Sequence, residues 1–376
     1  MIKPRVAMVS LSPLATGGIE THLLQIFHGL GKEFEFHVLG SLGEPFRTLA
    51  GDLGVNCASI PSAGKADPMA VLRLWKEFRA RGIEMVHTHD TRGGLLGRVA
   101  ARAARIPAVH TVHTPSFFLP SSPRIAGAYR LAERVLGRTA SDRMVFVSKT
   151  IRLLYLNSRL AEPEKARLIP NGLEGEWLEP VRHILREGDD VRFLYVGRMA
   201  REKGIGNLAD AFGITAARIP LVRLIAVGEG SQKDELTRTA EREGWRNRLE
   251  LTGWLGRRRI RQMMRTADVF VLPSDFESFS YTLLEAMASG LACIATDVGG
   301  NRDLVDPERT GLLVPRGDAL RLADAMVRMA NDGPSRIAMG REGAARAREY
   351  TVERMIDATR SLYAEVISRN SPGGKA

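Results

Sequence analysis

Apolar residues along this chain fall into two rhythms. Short unbroken runs, RVAMVS (5–10), FEFHVLG (34–40), MVHTH (85–89), AVHTVH (108–113), RMVFVS (143–148) and RLIPNG (167–172), alternate with longer stretches. In the longer ones, such as HLLQIFHGL (22–30) and LLGRVAARAAR (95–105), apolar positions recur every three or four residues. Unbroken runs suit strands buried on both faces, and the three-to-four spacing suits helices that cover them. A second series repeats the scheme: VRFLYVG (191–197), VRLIAVG (222–228), LELTGW (249–254), VFVLPS (269–274), ACIATD (292–297) and GLLVP (311–315). The pattern predicts two similar α/β domains, each a Rossmann-like parallel sheet flanked by helices. Past residue 318 the spacing is helical almost to the end.

Between the two series lies LEGEWLEPVRHILREGDD (173–190), irregular and highly charged. The predicted division is therefore a first domain over residues 1–175, a linker over 176–188 and a second domain over 189–351, with the tail SPGGKA disordered. A length of 376 residues accommodates two cores, and 44% apolar with 26% charged residues describes a folded globular chain. No apolar run approaches the roughly 18 residues of a membrane span. The first apolar run is short and no small-residue cleavage site follows it, so it reads as a strand, and a cytoplasmic protein is expected. Cys57 and Cys293 are too few for a disulfide framework; Cys293, inside ACIAT, reads as a small core residue.

In open α/β sheets, ligands sit beyond the carboxyl ends of the strands, and the informative polar residues stand there. After VFVLPS comes SDFESFSYTLLEAMASG (274–290), with Glu277 and Glu285 eight apart across a predicted helix start. Exposed amides at Ser280, Tyr281 and Thr282 suit a phosphate, while carboxylates accept from vicinal hydroxyls. A nucleotide-sugar carries both groups. A plainer reading makes Thr282-x-x-Glu285 a capping box and Glu277 a surface turn residue. After VRFLYVG come Arg198 and Lys203, a planar fork and a point charge able to hold a diphosphate. Gly17 and Gly18 precede a helix at the exit of the first strand, where glycine lets backbone approach a ligand.

Other motifs are incomplete. Gly228 and Gly230 begin a dinucleotide fingerprint, but Lys233 stands where its third glycine belongs, and there is no Walker A sequence. His87 and His89 share a strand face and raise a metal reading that needs a distant third ligand. Thr91 and Arg92 break the metallo-hydrolase pattern, so a structural role is favoured for the pair. No D-x-D motif occurs, and neither a metal nor another cofactor is expected.

The E-x7-E segment at Glu277 and Glu285, the G-R-x4-K segment ending at Lys203, and GGIE at 17–20 together resemble the retaining GT-B glycosyltransferases of family 4, also called glycosyl transferases group 1. The likeness runs over nearly the whole chain. It implies two Rossmann-like domains facing across a cleft, with a C-terminal helix over about residues 352–370 crossing back to the first. It further implies that Gly17 and Gly18 lie opposite the donor diphosphate and that His113 contacts the donor sugar, with His110 as the alternative. Arg198 and Lys203 would hold the diphosphate, Glu277 the transferred sugar and Glu285 the ribose. The implied activity is metal-independent transfer, with retention, from a UDP- or GDP-sugar to a hydroxyl of a glycan or lipid-linked acceptor in bacterial surface polysaccharide or lipopolysaccharide synthesis. Ser280 replaces the usual glycine and Asp303 the more common glutamate. An epimerase or a non-catalytic nucleotide-sugar binder on the same fold are the alternatives.

The net charge of +11 comes mainly from arginine, clustered at 92–105, 124–143 and 257–265. Solvated helix faces are one reading; attraction to an anionic membrane face or a phosphorylated acceptor is the other. Phe117, Phe118 and Leu119, beside basic helices, fit a membrane-surface or lipid-linked acceptor, or an ordinary loop packed under a helix. Aromatic residues are 6% and do not interleave with the basic runs, so nucleic acid is not an expected partner.

Overall fold

The apolar runs become the strands of two parallel sheets. In the computed structural model, which describes residues 3–14, 17–64, 66–115, 117, 122–179 and 190–370, the first sheet holds β1 (Arg5–Leu14), β2 (Glu35–Leu42), β3 (Asn56–Ser59), β4 (Met85–Thr88), β5 (Ala108–Val112), β6 (Arg143–Phe146) and β7 (Ala166–Leu168). The second holds β8 (Val191–Val196), β9 (Val222–Val227), β10 (Leu249–Gly253), β11 (Val269–Leu272), β12 (Ala292–Thr296) and β13 (Gly311–Val314). Their orders are β3-β2-β1-β4-β5-β6-β7 and β10-β9-β8-β11-β12-β13. Each sheet thus reverses its growth beside its first strand. Loops leaving β1 and β4, and those leaving β8 and β11, part to opposite sides and leave a crevice at the strand ends. Only β3 escaped the apolar pattern: its sequence, NCAS, is a half-exposed edge strand.

The chain divides into two units, Met1–Gly172 with Val352–Ala376, and Leu173–Thr351. In the first, one sheet face packs Leu23, Ile26, Phe27 and Leu30 of the helix Gly18–Leu30. The same face packs Met355, Ile356, Leu362, Tyr363 and Val366 of the C-terminal helix Val352–Asn370. At about 1.5–3 kcal/mol for each large apolar side chain buried, that last helix is a substantial part of the first core. The opposite face packs Leu74 and Phe78 of the helix Pro68–Ala80 and Leu96 of the helix Thr91–Ala104. Asp67 starts the former by accepting from the Met69 and Ala70 amides, and Pro68 presets its first turn.

The second unit buries Phe193, Tyr195 and Leu224 against Leu208 and Phe212 on one helix, Ile205–Arg218, and Leu322 and Met326 on another, Ala319–Asn331. The beginning of the charged stretch folds with it. A 3-10 turn over Gly175–Leu178 buries Trp177, and Glu174 and Glu179 accept from Arg257 and Arg261 at 3.0 and 2.7 Å. Residues 180–189, the remainder of that stretch, and the tail 371–376 lie outside the described residues.

The arginine clusters are not all solvated. Arg98 is fully buried, donating to Glu133 at 2.7 Å and to the Gly94 carbonyl at 2.5 Å, and so fastens the helix Thr91–Ala104 to the helix Pro123–Thr139. Phe117 is also buried, 5.7 Å from the Tyr155 ring with the Arg130 guanidinium over its face. That is the packed-loop reading for Phe117; Phe118 and Leu119 lie outside the described residues. Among the described residues no helix is long and apolar enough to cross a membrane.

Candidate active site

In the first unit the crevice beside β1 is organised by Asp90, which belongs to none of the sequence motifs. It follows β4 with φ of 52°, a left-handed conformation that aspartate tolerates better than most residues. One carboxylate oxygen caps the helix Thr91–Ala104 through the Gly93 amide; the other accepts from Ser10 Oγ at 2.6 Å and the Ser12 amide at 3.2 Å. The exits of β1 and β4 are thereby tied together. Its only sequence signal was the cap position ahead of a helix. Gly17 is the N-cap of the helix Gly18–Leu30, with an extended φ of 167°, and its carbonyl accepts from the Thr21 amide at 3.1 Å. Gly17 is therefore not demanded by left-handed backbone.

Histidines line the same region and divide into two kinds. His87 bonds through both nitrogens, Nδ1 with the Tyr363 hydroxyl at 2.6 Å and Nε2 with Thr111 Oγ1 at 2.7 Å. His110 Nδ1 lies 2.9 Å from Thr88 Oγ1, and its ring fills the space a side chain on Gly94 would need. These two are packing groups. His113, just past β5, places Nε2 3.0 Å from His89 Nδ1, and its ring centre is 5.0 Å from that of His22. His22 Nδ1 in turn lies 3.0 Å from Asn171 Oδ1. Burial holds His22 down at about 4 and puts His87, His89, His110 and His113 well below the usual range, neighbouring imidazoles adding to the effect. At neutral pH these rings carry no charge.

The second unit is charged at the corresponding place. Gly204, with φ of 69°, lets the loop after β8 pass against Pro273 of the loop after β11; a Cβ there would come 2.0 Å from the Pro273 carbonyl oxygen. The Asp275 amide donates to the Glu202 carbonyl at 2.9 Å. These contacts bring Lys203 to Glu277, 74 residues apart in sequence, with Nζ 2.7 Å from Oε1. Ser274 Oγ donates to the same oxygen at 2.8 Å, and the Gly300 amide donates to the Glu277 carbonyl. Glu277 is buried and fixed, unlike a surface turn residue. Arg198 stands out in solvent, paired with Glu202 at 3.0 Å.

The helix after β11 is Tyr281–Ala288, and its cap is Ser280, whose Oγ accepts from the Leu283 amide at 3.2 Å. This corrects the capping-box reading: the extended residue is Ser280, so Thr282 lies inside the first turn and Glu285 is not its capping partner. Glu285 is instead buried, 3.9 Å from Arg257, which also donates to Glu174 at 3.0 Å. Burial pushes the Glu285 carboxyl up to about 8, Arg257 opposes this, and Glu174 and Glu176 reinforce it. Tyr281 beside it is raised, mainly by burial. Arg257 and Glu174 were not among the expected site residues; they come from a basic helix and from the charged stretch between the two strand series. A cavity of about 490 Å³ lined by Asp190, Arg192, Arg223 and Glu250 lies at the opposite, amino-terminal ends of β8 and β9.

Two Rossmann-like parallel-sheet units, one with a lysine, a buried carboxylate and a helix start at its switch point, define a nucleotide-sugar transferase architecture. Residues 16–176 match the family model described as Glycosyltransferase Family 4, and residues 190–332 the one described as Glycosyl transferases group 1. The chain belongs to the GT-B glycosyltransferases of this family and is an enzyme of that kind. It is 27% identical to a UDP-Gal:alpha-D-GlcNAc-diphosphoundecaprenol alpha-1,3-galactosyltransferase of Escherichia coli, over 97% of this chain and 98% of that one. It is 28% identical to a D-inositol 3-phosphate glycosyltransferase of Xylanimonas cellulosilytica, with the same coverage. In fold it is similar to Anabaena Alr3699/HepE, solved with UDP and glucose, with a TM-score of 0.79, 20% identity, and 96% and 100% of the two chains covered.

Proposed function

We propose that this enzyme moves a sugar, with retention at the anomeric carbon and without a metal ion, from a nucleoside diphosphate sugar to a hydroxyl of a lipid-diphosphate-linked glycan. The observation that carries this is the ion pair between half-buried Lys203 and buried Glu277 beside the Ser280-capped helix start. Cleavage of a glycosyl–phosphate bond builds negative charge on the departing diphosphate. Lys203 and the amides of Ser280 to Thr282 offer positive groups fixed in advance, and solvent-exposed Arg198 adds a further cation, which together favour the transition state over the ground state. Glu277, held by Ser274 and Lys203, accepts hydrogen bonds from hydroxyls of the transferred sugar, and Glu285 from the ribose. His113 and the Gly17–Gly18 turn are assigned to the donor side by family resemblance. The leaving phosphate helps deprotonate the acceptor hydroxyl, on the face from which it departs.

The acceptor class is supported by the diphosphoundecaprenol-linked substrate in the name of the Escherichia coli relative. It is also supported by the helix Pro123–Thr139, which exposes Ile125, Leu131 and Val135 among Arg124, Arg134 and Arg138. Apolar and cationic residues on one surface suit an anionic bilayer. The test is incubation of the full chain with UDP- and GDP-sugars and an undecaprenyl-diphosphate glycan, followed by NMR of the product anomer. An inverted anomer sinks retention; binding without any product sinks the transferase reading of this site.

A further inference from the structure

We propose that His22, His89 and His113 form a binding site for a divalent cation of the zinc class, which prefers imidazole ligands. One ring nitrogen from each lies within 4.8 Å of the others. His89 Nδ1 and His113 Nε2 are 3.0 Å apart, close to the roughly 3.3 Å between two imidazole nitrogens on one tetrahedral zinc. His22 supplies the third lone pair. Asn171 Oδ1 can only accept, so it fixes the proton of His22 on Nδ1 and leaves Nε2 as a bare acceptor. That Nε2 is buried with no hydrogen-bond partner.

The other histidines of the region make the contrast. His87 has a partner on each nitrogen, and His110 is held by Thr88. His22, whose Nε2 is unsatisfied, is the ring that meets both His89 and His113, with ring centres 5.7 and 5.0 Å away. A second-shell oxygen orienting a ligating imidazole is a regular companion of metal sites, and Asn171 has that position. Three ligands leave a fourth position open to water. The site uses residues of the first unit alone and does not depend on the donor reading. Its effect on transfer does rest on the donor-side role proposed for His113: a bound cation would occupy a lone pair of that ring and act as a brake rather than a cofactor.

The experiment adds Co²⁺ to the metal-free full-length protein and follows the visible ligand-field band, with Zn²⁺ as competitor. The expected result is one Co²⁺ per chain, displaced by equimolar Zn²⁺. Binding should weaken at least 100-fold in His22→Asn and His89→Asn, and stay unchanged in His28→Asn, whose side chain is exposed. No band in the unaltered protein, or the same band in both site variants, overturns the proposal. Because those variants can unfold, hyperfine-shifted proton NMR of the Co²⁺ form of the unaltered chain gives a second reading. Three ligated imidazoles support the site and fewer overturn it.

Discussion

At the exit of its central strands each unit offers a different kind of polar group. In the first, the loops after β1, β4 and β5 converge on histidines that burial keeps uncharged, with Asp90 turned to backbone and hydroxyl donors. In the second, the loops after β8 and β11 bring Lys203 against Glu277, while Arg257 stands between Glu174 and Glu285. The sheets share their strand pattern, so the contrast arises in the loops. Short polar side chains and ring nitrogens shape one crevice; Lys203 and Arg257, each set against a carboxylate, Glu277 and Glu174, shape the other. Such countercharges can be exchanged for those of an anionic ligand without leaving a bare ion buried.

The contrast can be tested hardest where the first unit does bury charge. Arg98→Ala, which strands Glu133, should cost about 3–5 kcal/mol in denaturant unfolding, and an apolar pair at both positions should recover much of it. A loss below about 1 kcal/mol would mean that the first unit accepts unpaired charge. Next, Lys203→Ala should lower the transfer rate by about 10²–10³ with the fold retained, and Arg198→Ala by less, its guanidinium being exposed. Unchanged turnover in both would remove the charged loops from the chemistry.

Glu285 gives the contrast a pH signature. Its folded value of about 8 lies above the ordinary 4.5, so between these limits the folded state holds a proton that the unfolded chain has released. Stability should therefore fall as pH rises from about 4.5 to 8, by an amount on the order of a few kcal/mol. Glu285→Gln should flatten that slope; urea melts at pH 5 and pH 8 that keep the same difference in the variant would sever the assignment. Smallest of all, excess chelator should not lower transfer, since the second unit supplies its own cations. Loss of activity would break the metal-independent reading.

What the sequence made legible was what local periodicity encodes. The long apolar runs became central strands, and β3 was missed because an edge strand with the residues NCAS has no apolar run to show. Lys203 and Glu277 were singled out through their motifs, but their contact was not legible, because it needs the Gly204 crossing beside Pro273. Arg98 looked like one more cation in a basic helix; which side of that helix faces Glu133 is decided by the neighbouring helix. His22 lies 67 residues before His89, so no spacing rule joins them, and only the return of the helix Gly18–Leu30 over the sheet does. Ser280 and Thr282 are both credible caps in sequence, and the backbone at Ser280 chooses between them.

The C-terminal helix has a consequence for biosynthesis. Tyr363 reaches His87 beneath the histidine cluster, and Met355, Ile356, Leu362 and Val366 complete the same core. A chain synthesised as far as residue 351 therefore contains the whole second unit but only part of the first. The amino-terminal half must wait, with one face of its sheet incompletely covered, until the last residues emerge to close it.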